Sequence, residues 1–398
     1  MHTPPSFCIA GAHLDRHKSN PKRTDKGVSM KYEIRCSVCN KPSSSLLAFK
    51  CPSCGQPLDV QLDFNFEPEK ILWNNHSVWR YAQFFPYAQE NKIISLAEGW
   101  TPLVRFSDNT YVKLESANPT GSFKDRGSTV LISVLHRLIE EAGGYISEDS
   151  SGNAGASIAA YAARAGLKAR IYVPETVAGP KFNQIQFYGA QVTKVSGSRS
   201  RVAEEAQKVE KGKFYVGHIL HPLFRDGLRS LAYEIFEQFG WNVPERIYFP
   251  VSAGTLLLGV ISGFKHLSDS GVIEDFPKIV ACQTQQVSPL YHRFKGLKYD
   301  PPETVTSIAD ALVSVKPPLL DLMVRGLKEV NGDAVMVEED EIMEAFLELA
   351  RKGFFVEPSS AVAYAAYKKQ LMSNEVSQEN NVVIILTGNG LKTTIRPV

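Results

Sequence analysis

Cys36, Cys39, Cys51 and Cys54 are spaced C-x2-C-x11-C-x2-C, all within nineteen residues. Two such pairs suit tetrahedral Zn2+. Four thiolates saturate that ion, so the predicted site is structural and leaves no open position for a substrate. Each pair needs a tight turn to bring two sulfurs to one metal. Asn40 and Gly55 follow the second cysteine of each pair, and these two types best tolerate the left-handed backbone of such turns. Two disulfides are the alternative reading of the same spacing. Residues 31–60 are expected to form a zinc ribbon, with Cys8 and Cys282 outside it.

Catalytic chemistry has to come from elsewhere, and four small-residue turns are the candidates. The first runs Ser116-Ala117-Asn118-Pro119-Thr120-Gly121-Ser122-Phe123-Lys124-Asp125-Arg126-Gly127, turn chemistry leading into a predicted helix. A cation in a first helical turn opposes the positive end of the helix dipole, which favours the neutral amine that a Schiff base requires. Alone, Lys124 also reads as a surface lysine. The second turn, Ser150-Ser151-Gly152-Asn153-Ala154-Gly155-Ala156-Ser157, offers close backbone amides to an anion such as a carboxylate, and an amide at Asn153 for a phenolic oxygen. A plain helix cap is the alternative there. The third, Pro250 to Gly259, holds Ser252, Ala253, Gly254, Thr255 and Leu256, whose amides and hydroxyls suit a phosphate at a helix N-terminus. The fourth, Leu386-Thr387-Gly388-Asn389-Gly390-Leu391-Lys392, sets a hydroxyl at Thr387 where it can meet a heteroaromatic ring nitrogen.

These turns must be held by regular elements. β-rich runs at 111–115, 169–174, 191–195, 246–251, 278–283, 334–337 and 382–387 predict strands. Apolar periodicity predicts helices over 127–142, 157–165, 181–188, 201–211, 339–352 and 359–370. The alternation predicts an α/β protein with mainly parallel, helix-covered sheets. In such sheets ligands bind beyond the carboxyl ends of the strands, where all four turns fall.

The order of the four turns resembles the fold type II pyridoxal-phosphate enzymes. Asn118 to Gly127, Glu98-Gly99-Trp100-Thr101-Pro102-Leu103 and Leu391-Lys392 look most like the threonine synthase family, in its form with an N-terminal zinc ribbon. The resemblance covers residues 31–398. It implies two doubly wound parallel-sheet domains of the tryptophan synthase β kind behind the ribbon: a catalytic region over 61–398, with a smaller domain over roughly 110–225. It implies a Schiff base between Lys124 and pyridoxal 5'-phosphate, with Lys124 also acting as the general base. Asn153 would bond the cofactor's 3'-oxygen, Thr387 its ring nitrogen, and Ser252, Ala253, Gly254, Thr255 and Leu256 its phosphate. Ser151, Gly152, Asn153 and Ala154 would bind the substrate carboxylate, and Lys181 and Arg225 are candidates for a substrate phosphate. The implied reaction converts O-phospho-L-homoserine and water to L-threonine and phosphate, and a homodimer is implied as well.

Two stretches depart from the family pattern. Threonine synthases usually carry an Asn-containing segment and a Gly-Gln pair where this chain has residues 216–230, here Val-Gly-His218-Ile-Leu-His221 onward. Their cofactor-phosphate turn usually contains Gly-Asn, whereas Ser252-Ala253-Gly254-Thr255 leans toward cysteine synthases. The alternatives are a β-replacement enzyme acting on O-phosphoserine, a serine or threonine dehydratase, and a non-enzymatic ribbon adaptor. A net charge of +2 over 398 residues gives no field for nucleic acid or an anionic membrane and suits small zwitterionic substrates. Residues 1–30 are polar and basic without an apolar segment. They are expected to be a flexible tail rather than a targeting peptide, and the chain is expected in the cytoplasm.

Overall fold

A computed structural model describes residues 31–88 and 91–395. The expected tail at 1–30 lies outside the described residues. The first described segment is a three-stranded antiparallel sheet of order β2-β1-β3, formed by β1 (Lys31–Cys36), β2 (Pro42–Ser43) and β3 (Leu58–Asp63). Its knuckle turns have the left-handed backbone expected, with φ of 57° at Asn40 and 71° at Gly55.

The chain continues through β4 (Leu103–Arg105), β5 (Thr110–Lys113), α1 (Lys124–Glu141), β6 (Tyr145–Glu148), α2 (Asn153–Ala165) and β7 (Lys168–Pro174). Then come α3 (Pro180–Phe187), β8 (Gln191–Val195), α4 (Arg199–Gln207), β9 (Lys213–Tyr215), α5 (Pro222–Gly227), α6 (Ser230–Gln238) and β10 (Arg246–Pro250). The last part holds α7 (Thr255–Asp269), β11 (Lys278–Thr284), α8 (Pro289–Lys295), α9 (Leu320–Glu329), β12 (Asp333–Val337), α10 (Glu339–Arg351), α11 (Pro358–Met372) and β13 (Val382–Ile385). Among the described residues no helix is long and apolar enough to cross a membrane.

Two sheets organise these elements. One is four-stranded and parallel, order β8-β7-β6-β9; the other is six-stranded, order β12-β11-β10-β13-β5-β4, with only β4 antiparallel. The central strands explain themselves: Val382-Val-Ile-Ile is buried at every residue, as befits a parallel strand covered on both faces. α10 carries the complementary helical pattern. It buries Ile342, Ala345, Phe346 and Leu349 as one stripe, and its first turn is closed by a capping box between Glu338 and Glu341. The four-stranded sheet is built from residues 145–215, inside the expected smaller domain, but the strand at 110–113 pairs with β13 in the other sheet.

Two helices begin earlier than apolar periodicity predicts. α1 starts at Lys124 rather than Gly127, and α2 at Asn153 rather than Ser157. The helical backbone begins inside the small-residue turns themselves, where the buried side chains (Asp125, Arg126, Ala154, Ala156) are charged or small and give no apolar period. At α1 the cause is Asp125, whose carboxylate accepts from the Thr120 amide at 2.7 Å, the Thr120 hydroxyl at 2.6 Å and Ser157 at 2.6 Å. Those bonds draw the preceding loop tight onto the helix start.

Candidate active site

The four turns meet around one crevice of about 310 Å³ at the carboxyl ends of the parallel strands. Lys124, the stretch 150–154, the stretch 250–257 and Thr387 all line it. A larger cavity of about 750 Å³ lies between β3, α7 and α9, and none of the predicted catalytic residues reaches it.

Lys124 is the first residue of α1, and its ammonium sits 4.5 Å from the centre of the Phe123 ring and 5.9 Å from that of Phe224. No described residue hydrogen-bonds its Nζ. Burial lowers its pKa to about 8, against the opposing pull of Glu148. The turn before it is zipped to the last turn: Phe123 N donates to Thr387 O at 3.1 Å, and Asn389 N to Gly121 O at 2.9 Å. Lys392 adds a bond from Nζ to Thr120 O at 2.7 Å.

Asn153, first residue of α2, donates from Nδ2 to Glu357 Oε2 at 2.8 Å, while its buried Oδ1 has no partner. Glu357 is itself buried and paired with Lys181 at 2.7 Å. Gly388 makes room for that carboxylate, since a Cβ there would stand 1.8 Å from Glu357 Oε2. Thr387 Oγ1 lies 2.9 Å from Ser360 Oγ. Gly254, with φ of 90°, precedes the fifteen-residue α7. The first amides of that helix have no intrahelical acceptor and open on the crevice.

The candidate phosphate ligands fare differently. Lys181 bridges Asp310 at 2.8 Å and Glu357 at 2.7 Å, so its charge is already matched by two carboxylates beside the crevice. Arg225 is turned away altogether. Its guanidinium donates to the carbonyl of Leu58 in β3 and lies 3.3 Å from Asp59 Oδ1. A cation that sequence reasoning passed over, Arg199, does line the crevice, paired with Asp149 at 2.7 Å.

The four cysteines cluster as their spacing predicts. Their sulfurs lie within 4.8 Å of one another, and no disulfide joins them. Separations of 3.4 Å (Cys36–Cys54), 3.5 Å (Cys39–Cys54) and 3.7 Å (Cys39–Cys51) compare with about 3.8 Å for a tetrahedron of metal–sulfur bonds near 2.3 Å. Burial would raise the Cys36 thiol, but amide donors at Cys39 and Val38 outweigh it and bring it down to about 6. That favours the thiolate a metal needs.

Residues 94–388 match the family described as "Pyridoxal-phosphate dependent enzyme". The threonine synthase of Methanocaldococcus jannaschii is 35% identical over 90% of this chain and 92% of its own length. The chain belongs to the threonine synthase family of pyridoxal-phosphate-dependent enzymes. The Synechocystis threonine synthase is 32% identical over 88% of this chain and 89% of its own length. Among solved structures, a pyridoxal 5'-phosphate-dependent aspartate racemase superposes with a TM-score of 0.60 at 25% identity, covering 70% of this chain and 83% of its own.

The crevice residues fit the cofactor of this family. An amine without a hydrogen-bond partner, a buried amide oxygen without one, a free helix N-terminus and the Thr387 hydroxyl converge on a single space. The family segment Glu98 to Leu103 stands outside that space and supports it. Glu98 accepts from Leu96 N at 2.8 Å and Tyr161 at 2.6 Å, Gly99 N donates to Asn118 Oδ1 at 2.9 Å, and Thr101 Oγ1 to Glu115 at 2.7 Å. Glu357, Arg199 and His218 are among the lining groups that went unread in the sequence. The Glu357-Pro358 pair at a helix start was a legible cue; the other two gave none.

Proposed function

We propose that this enzyme converts O-phospho-L-homoserine and water to L-threonine and phosphate. The observation that carries this reading is the convergence of Lys124, Asn153, the α7 N-terminus and Thr387 on one crevice, in a chain whose relatives are threonine synthases. Pyridoxal phosphate, when bound, supplies the electron sink that stabilises carbanionic character on the substrate. Lys124 is the residue proposed to hold the cofactor and to carry protons to and from the substrate's α- and β-carbons.

Asn153 is fixed by Glu357, which takes one N–H and leaves the other for the cofactor's 3'-oxygen. Ser252, Ala253, Gly254, Thr255 and Leu256 bind the cofactor phosphate, and Thr387 meets the ring nitrogen. The amides of Ser151, Gly152, Asn153 and Ala154 receive the substrate carboxylate. Arg199 replaces Arg225 as the proposed partner of the substrate phosphate, with Lys181 holding Glu357 in place. The cysteine quartet is proposed to hold structural Zn2+, and the family resemblance supports a cytoplasmic homodimer.

The test is a product assay on O-phosphohomoserine, run beside O-phosphoserine with sulfide or sulfite. Equimolar threonine and phosphate are expected from the first, and none from Lys124→Ala. Phosphate released without threonine, or turnover confined to O-phosphoserine, would overturn the reading.

A further inference from the structure

His218 occupies the stretch where the amide-rich family pattern is missing, and it lines the same crevice as Lys124. Its Nδ1 lies 2.8 Å from Glu148 Oε1, and its backbone N–H donates to Glu148 Oε2 at 3.1 Å. The carboxyl therefore grips one residue at two points and sets the ring plane. Nε2, the other ring nitrogen, makes no hydrogen bond to any described residue. Glu148 is fully buried at the end of β6 and has no Lys or Arg ion pair among the described residues. The Phe224 ring stands edge-on to His218 at 5.8 Å, and the Lys124 ammonium is 5.9 Å from that same ring. The two nitrogen groups thus share one aromatic neighbour.

We infer that His218, oriented by Glu148, is a second proton carrier of this active site, acting where the substrate phosphate departs and where water adds. The inference rests on the reaction proposed above. The Nε2 proton passes to the phosphate oxygen as the bond from Cγ to that oxygen breaks and the electron pair freed at Cβ, whose proton Lys124 has taken, becomes a Cβ–Cγ double bond. The Glu148 carboxyl proton moves to Nδ1, and Lys124 then delivers its proton to Cγ. Nε2 is then a bare lone pair. It takes one proton from water as the water oxygen bonds to Cβ, and the Nδ1 proton returns to Glu148. One proton leaves the pair and one comes back, so Glu148 is a carboxylate only between the two steps and the pair ends neutral.

The environment suits such a neutral pair. Burial raises Glu148 well above the usual carboxylate range, helped by Asp149, and burial together with Lys124 pushes His218 well below the usual imidazole range. Asp149 is itself occupied by Arg199 at 2.7 Å and by the Tyr215 hydroxyl at 2.7 Å. The charged and titratable groups facing the pair are therefore Lys124 from α1, Asp149 after β6, Arg199 from α4 and Tyr215 from β9. The His218–Glu148 contact is the direct one.

The holoenzyme variants His218→Asn and Glu148→Gln test this. His218→Asn is expected to keep the cofactor's visible absorption and the exchange of the substrate α-hydrogen with D2O, which Lys124 performs. It should lose phosphate release roughly a hundred- to ten-thousand-fold. Glu148→Gln should lose less and flatten the pH profile of phosphate release. Turnover within about threefold of the parent, with superimposable pH profiles in both variants, overturns the inference. A second readout is independent of turnover: ring-nitrogen NMR of 15N-histidine holoenzyme, with His218 assigned by its loss in His218→Asn. His218 should be neutral at pH 7 with its proton on Nε2, should keep that tautomer in Glu148→Gln, whose amide still donates to Nδ1, and should lose the preference in Glu148→Leu. A ring that titrates near 6.5, or keeps the same tautomer in Glu148→Leu, overturns the relay. If the parent enzyme releases no phosphate from O-phosphohomoserine, the reading of the reaction fails, and the NMR result still decides the relay.

Discussion

Lys124 shows how position makes a reactive group from an ordinary one. A solvated lysine has a pKa near 10.4, so at pH 7 fewer than about one amine in a thousand is free to attack a carbonyl. Burial at the head of α1 lowers that pKa to about 8, and about one in ten becomes free. Below about 8 the amine is protonated and cannot attack; above it the amine is neutral. Capture of pyridoxal phosphate by the apoprotein should therefore accelerate with pH up to about 8 and level off beyond. Burial keeps the Glu148 carboxyl neutral beside His218, so Glu148→Gln removes no charge and should leave that midpoint in place. Stopped-flow absorbance over pH 6–10 measures both, and a midpoint near the free-lysine value would refute the argument. Asn153 needs a different kind of support. Its amide is useful only in one orientation, which Glu357 sets at 2.8 Å and Lys181 stabilises.

At the scale of elements, what positions these groups is a set of backbone conformations that only some residues allow. Gly254 is the sharpest case. Its φ of 90° is unfavourable for any side chain, and a Cβ there would stand 2.1 Å from the Met323 sulfur in α9. Gly254→Ala should cost about 1–3 kcal/mol in backbone strain and a similar amount in overpacking. Met323→Ala in the same chain should recover the second part only. Chemical denaturation of the four combinations separates the two contributions, and an unchanged midpoint in Gly254→Ala would show that α7 starts elsewhere in solution. The sequence carried the small-residue turns, the strands between them and the order of both, because periodicity and turn chemistry are local. It did not carry the first helical turns at Lys124 and Asn153, whose buried side chains are charged or small and show no apolar period. Nor did it separate Arg199 from Arg225. Both are isolated arginines near a helix start, and only the approach of β3 to α5, more than 160 residues apart in the chain, decides which one faces the crevice.

At the scale of the molecule, Arg225 gains its meaning from that same approach. Its guanidinium ties α5 to the carbonyl of Leu58, and Arg325 Nη1 reaches Ser37 O at 3.0 Å from the other side. Phe66 N donates to Ser270 Oγ at 2.7 Å, and His266 Nε2 lies 2.9 Å from Phe64 O. Ile34, Cys36, Cys51, Leu58 and Val60 of the ribbon belong to one continuous core with Leu223 and Phe224 of α5. The cysteine knuckles therefore brace the helix whose Phe224 ring neighbours both Lys124 and His218, although no cysteine approaches the crevice. If the ribbon is energetically part of the body, stripping the metal should not melt residues 31–63 alone. A structural Zn2+ is coupled to folding free energy, and the shared core transmits its loss. Chelation should lower the melting temperature of the whole chain by several degrees in a single transition, with the cofactor's visible absorption lost over the same range. Differential scanning calorimetry beside absorbance distinguishes the alternatives. Two separate transitions, with cofactor loss at the original temperature, would mean that the ribbon is an independent appendage and that Phe224 is held by α5 alone.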